Sequence, residues 1–178
     1  MAALVKGKSR PARDRVELVD PFAVLDQTHR EVLTQLQALQ GLMPRLESYN
    51  VDDAARAIAR GAVDFFGHHA RQHHADEEKR VFPDLLNSGD EALCQQVLRL
   101  QQDHGWLEED WLELGPMLAE IADGQVGVDL ESLRHALEVF GALYHEHISL
   151  EEGFIYPEAK RRAAAAQTAR EQRLATGG

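Results

Sequence analysis

The chain has 178 residues, 44 % of them apolar and 28 % charged, a composition that suits one globular domain with a substantial core. Its net charge of −11 excludes the broad basic face that a nucleic-acid groove requires. No apolar run approaches the ~20 residues of a membrane span, and the lone Cys94 excludes an internal disulfide and any multi-cysteine metal site, so the expected setting is cytoplasmic, with neither nucleic acid nor membrane as partner.

Residues 1–19 read as a flexible basic tail, broken by Gly7 and Pro11; the first 15 residues hold five Lys/Arg against one acid, Asp14. Helical periodicity then takes over, and strand-like alternation is nearly absent. A first helix is expected over 20–43, opened by Asp20-Pro21 and ended or bent between Gly41 and Pro44. A second is expected over 52–82, closed by Pro83 and Asn87-Ser88-Gly89. A third spans 90–122, with a bend expected near Gly115-Pro116. A fourth runs over 129–157, where Pro157 should perturb or restart it. The Ala-rich, basic end, 161–178, favours helix locally but has little apolar surface to bury. Four long helices joined by short turns predict an all-α, antiparallel up-down-up-down four-helix bundle over 20–160. Cys94 reads as a small buried apolar residue.

The chain repeats itself. HHADEEKRVFP runs from His73 to Pro83, and HISLEEGFIYP from His147 to Pro157; LDQTH ends at His29, and LQQDH at His104. Each half is therefore a helix hairpin with one histidine on its first helix and His-x-x-x-Glu on its second. Counted from the expected turns at ~1.5 Å per residue, the four histidines fall in one layer of the bundle. Within each pair, His73 with Glu77 and His147 with Glu151, positions i and i+4 share a helix face. Four imidazoles and two carboxylates converging in an interior are costly unless something binds there. A sulfur-free His₄Glu₂ set suits iron or manganese and tolerates zinc, as a dinuclear centre with two bridging carboxylates. The sequence contains no Glu-x-x-His, which sets aside the ferritin-like carboxylate pattern.

Taken together, His29, His73-x-x-x-Glu77, His104, His147-x-x-x-Glu151 and the closing segments EEKRVFP and EEGFIYP resemble a hemerythrin-like (HHE cation-binding) domain over about residues 20–160. The resemblance implies a four-helix bundle holding two iron ions, bridged by carboxylate and oxo groups, that meets O₂, NO or peroxide. Oxygen-carrying hemerythrins have His-x-x-x-His on the third helix, whereas here the third helix reads His104-x-x-x-Glu108. Glu108 either takes that ligand position or is a solvated acid in the run Glu108-Glu109-Asp110; as a ligand it would favour oxidation over reversible O₂ carriage. The functional expectations are a di-iron protein that binds or senses O₂ or NO or handles iron, or an oxidoreductase that consumes peroxide or NO; a structural bundle without metal is the third reading. His69 is expected at the core or edge, on the stripe of His73. His68, His74, His135 and His145 are expected to be exposed. Glu78 and Glu152 are expected to support the ligands or to be solvated, and Phe66, Phe140, Leu143 and Tyr144 to roof the layer.

Overall fold

The computed structural model describes residues 21–176. The expected tail, 1–19, and the cap Asp20 lie outside them. Helix α1 (Pro21–Gln40) turns at Gly41 into α2 (Leu42–Tyr49). Asp52 caps α3 (Asp53–Asp64) by accepting from the Ala55 N–H at 2.8 Å, and Arg45 holds that carboxylate through two 2.7 Å bonds. A π turn, Phe65–Ala70, joins α3 to α4 (Arg71–Arg80), and α5 (Phe82–Leu86) follows with Pro83 in its first turn.

Asp90 and Asp129 cap the next two helices in the same way, α6 (Glu91–Ala122) and α7 (Leu130–Leu150). Helix α6 runs through Pro116 as one element. A second π turn, Glu151–Ile155, leads into α8 (Tyr156–Thr176). Pro157 lacks the N–H that would bond residue 153, and the widened turn lies where that bond would fall. The last helix therefore continues well past the proline that was expected to perturb it.

The described residues contain no strand. Successive long helices run antiparallel; α1 and α6 each pack against both α3 and α7 and so occupy opposite corners of a four-helix bundle. The core falls into two apolar clusters. One gathers Leu36, Leu39, Phe65, Phe66, Leu114 and Phe140. The other gathers Leu25, Phe82, Leu85, Leu93, Leu100 and Tyr156. Between them lies a buried polar layer containing His29, His73, Glu77, His104, His147 and Glu151. Among the described residues no helix is long and apolar enough to cross a membrane.

Candidate metal centre

The polar layer has a crossed geometry. Glu77, from α4, turns Oε1 toward His73 Nε2 (3.4 Å) and Oε2 toward His104 Nε2 (3.5 Å). Glu151, at the end of α7, turns Oε2 toward His29 Nε2 (3.1 Å) and Oε1 toward His147 Nε2 (3.2 Å). Each carboxylate thus faces one histidine of its own helix and one of another. Two groups of four donors result, His29, His73, Glu77 and Glu151, and Glu77, His104, His147 and Glu151; within each, all donor atoms lie within 4.8 Å of one another. Both carboxylates belong to both groups.

The donors face common points more than each other. Among the described residues, the buried side-chain nitrogens and oxygens without a hydrogen-bond partner all belong to this layer: His73, His74, Glu77, Asp103, His104, His147 and Glu151. Orphaned polar atoms on this scale are costly in a packed interior. With metal–ligand bonds of ~2.1 Å, adjacent donors on one ion are about 3.0 Å apart, close to the spacings seen here. The donor set therefore fits two cations, each held by two imidazoles and two shared carboxylates. Its lack of sulfur excludes the thiolate sites that select soft metals.

In the metal-free chain, protons take the place of cations. Burial opposes charge on His147, but the Glu151 carboxylate, with Asp103 and Glu77, overrides it and lifts the pKa to about 10. The pKa of His29 is also raised: burial lowers it, and Glu151 more than compensates. Burial would lift Glu151, yet His147 and His29 hold it well below the usual carboxylate range. Glu77 is pushed up to about 7 by burial and by the nearby Glu151 charge. Burial, reinforced by the positive His29, lowers His73 to about 3. Burial likewise keeps His74 well below its ordinary value, beside His104 and His147.

A surrounding ring of groups orients the histidines. His29 Nδ1 lies 3.0 Å from Glu152 and His104 Nδ1 lies 2.9 Å from Glu78, so each N–H donates outward and leaves Nε2 facing the layer. The second glutamate of each repeat thus acts as a support. Asp103, fully buried and not singled out from the sequence, sits 3.8 Å from His147 Nδ1. Tyr156 was also missed. Its ring stacks on His29 at 5.2 Å, and its hydroxyl donates to Glu77 Oε1 and lies 3.2 Å from His29 Nε2. Phe82 stacks on His104 at 5.7 Å in the matching place of the other half. That pairing, the aromatic residue before each repeated proline, was the available signal.

Three expectations need correction. His74 is buried, at 6 % exposure, and stacks on His104 with ring centroids 4.0 Å apart. His69 is exposed, although it lies one α-helical turn before His73. His69 lies within the π turn Phe65–Ala70, which packs in an extra residue, so it no longer shares a face with His73, and His74 turns inward instead. Glu108 lies outside both donor groups; its side chain is 53 % exposed and pairs with Arg71 at 3.4 Å. It takes the solvated role, and its charge is not available to the layer as a ligand. His68, His135 and His145 are exposed. Phe66, Phe140 and Tyr144 are buried beside the layer, with Leu143 partly buried against the same cluster. Cys94 is half-buried, and its thiol donates to the Leu86 carbonyl at 3.2 Å.

A cavity of about 210 Å³ adjoins His74 and Tyr144, walled by Phe66, Leu107, Trp111 and Phe140. The exposed Arg71–Glu108 pair also lines it. It is large enough for a small apolar molecule.

Residues 20–159 match the profile of the family described as Hemerythrin HHE cation binding domain. A Haemophilus influenzae protein described as "Uncharacterized protein" is 29 % identical over 133 residues, covering 75 % of each chain. No solved structure matches significantly.

Proposed function

This chain belongs to the hemerythrin HHE cation-binding domain family, and we propose that its buried layer holds two iron ions and binds a small diatomic ligand, O₂ or NO. The carrying observation is that Glu77 and Glu151 each present one oxygen to each donor group, as bridging carboxylates must. Bound iron supplies a change of oxidation state and open coordination positions. The protein's residues do the rest. His29, His73, His104 and His147 provide neutral nitrogen donors once their protons leave. Glu78 and Glu152 fix two of those rings from outside. Phe66, Phe140 and Tyr144 exclude bulk water and bulky substrates. Manganese or zinc suits the same donors but is less favoured by this reading.

A second reading, an oxidoreductase consuming peroxide or NO, is favoured by one observation. Burial and both carboxylates push the Tyr156 phenol far up, so its hydroxyl stays a proton donor at the edge of the layer. The two readings separate experimentally. The protein is loaded with ferrous iron without oxygen, exposed to O₂ or NO, and returned to vacuum. Recovery of the reduced spectrum with two irons per chain supports binding. Sustained consumption of added peroxide or NO supports the enzyme. A chain that takes up no metal after iron-replete expression refutes both.

A further inference from the structure

The cavity beside the polar layer is walled by rings that hold one another in place. Phe66 meets Phe140 edge-on at 5.0 Å, and Phe140 meets Tyr144 in the same way at 5.0 Å. Trp111 lies 5.5 Å from Phe66. A glycine seats the Trp111 wall, since a Cβ at Gly115 would stand 3.1 Å from the indole ring. Glycine inside a helix costs ~0.5–1 kcal/mol relative to alanine; at position 115, within α6, it leaves the indole its room. Leu107 completes the apolar lining. At the mouth, Arg71 and Glu108 pair at 3.4 Å, so one positive charge offsets one negative.

Tyr144 brings a polar atom to this lining. Its hydroxyl has no hydrogen-bond partner among the described residues, yet it is not one of the sealed orphan atoms of the layer. The hydroxyl therefore faces open space, and the cavity is the space that Tyr144 borders.

We infer that the cavity is a binding site for a small neutral aromatic molecule carrying one hydroxyl, a monocyclic phenol. An apolar cavity of ~150 Å³ holds benzene, and about 210 Å³ leaves room for a substituent. A guest ring offers its face and edge to the four aromatic walls. Its hydroxyl meets that of Tyr144, which can donate or accept. The balanced charges at the mouth favour neither an anion nor a cation. Such an occupant is a second ligand, distinct from a diatomic at the metal centre. It lies against His74, whose ring stacks on His104 of the layer at 4.0 Å.

The test uses the full chain expressed with zinc, which keeps any bound metal diamagnetic, and follows para-fluorophenol and fluorobenzene by fluorine NMR. Both should bind saturably at one site, the phenol ~2–10-fold more tightly, the worth of one neutral hydrogen bond. Overhauser contacts should run from the bound ring to Trp111 and Phe140. Tyr144→Phe should still bind fluorobenzene and should abolish the preference for the phenol. Leu107→Phe, which fills the cavity from its wall, should weaken both probes at least ~10-fold. No saturable binding, equal affinity for the two probes in the wild type, or a preference that survives Tyr144→Phe would overturn the inference. Tetramethylammonium binding more tightly than the phenol would also overturn it, since the rings would then be a cage for cations.

Discussion

Replacing Glu151 by glutamine keeps the side chain's shape and removes its charge, and the metal-free protein should report this through its pH dependence. In the folded metal-free chain, His147 keeps its proton up to about pH 10, against an ordinary value of 6.5, despite burial that works the other way. Between those values the folded state binds more protons than the unfolded one, so stability falls as pH rises. Each pH unit is worth about 1.4 kcal/mol per proton. Going from pH ~7 to ~9 should therefore remove ~2–3 kcal/mol through His147 alone. His29, also raised, adds to the same slope. His73 and His74 act in the opposite direction, but their contribution lies below the ordinary histidine range, because both are depressed in the folded state. The assay is equilibrium urea unfolding of chelator-stripped protein, followed by helical circular dichroism across that window. Glu151→Gln removes the charge that holds the His147 and His29 protons, so the slope should largely vanish. A Glu151→Gln variant with the wild-type slope, or a wild type that gains stability across the window, would refute the reasoning.

Other outcomes follow from the same geometry. Because Glu77 and Glu151 belong to both donor groups, Glu77→Ala or Glu151→Ala should abolish uptake of both ions, as read by elemental analysis. Glu78→Ala and Glu152→Ala should weaken binding ~10–100-fold while leaving two sites, measured by chelator competition. Zinc added to metal-free protein near pH ~8 should release protons, detected with an indicator dye, since the ion displaces the one held on His147. Phe66→Ala, removing a fully buried ring packed on Phe140, Tyr144 and Trp111, should cost ~3–5 kcal/mol in urea unfolding.

The convergence of six side chains in one buried layer was legible in the sequence because duplication doubled the signal. His29 and His104 sit at matched distances from their hairpin turns, and Glu77 and Glu151 sit four residues after His73 and His147. Helix boundaries were legible where Asp52, Asp90 and Asp129 cap them. What escaped was angular. A regular α-helical wheel puts His69 with His73 and leaves His74 outside, but the π turn at Phe65–Ala70 breaks that phase before His73 arrives. Tyr156 escaped for a related reason, since it lies immediately beyond the second π turn and before a proline expected to perturb or restart the helix. Asp103 gave no local signal, because an acid on a helix is usually solvated and only the packing of α6 on α7 brings it to His147. Glu108 was ambiguous by spacing alone, and its pairing with Arg71 of another helix decides its role.

The crossed carboxylates also constrain when the centre can be built. The first hairpin supplies His29, His73 and Glu77 to one donor group but lacks Glu151; the second supplies His104, His147 and Glu151 to the other but lacks Glu77. Neither hairpin completes a site alone. Each donor group is therefore complete only when the two hairpins are docked on each other. Two copies of a single such hairpin, paired about a two-fold axis, would assemble the same crossed pair of donor groups, so the duplicated chain has the arrangement of a symmetric dimer in one covalent piece.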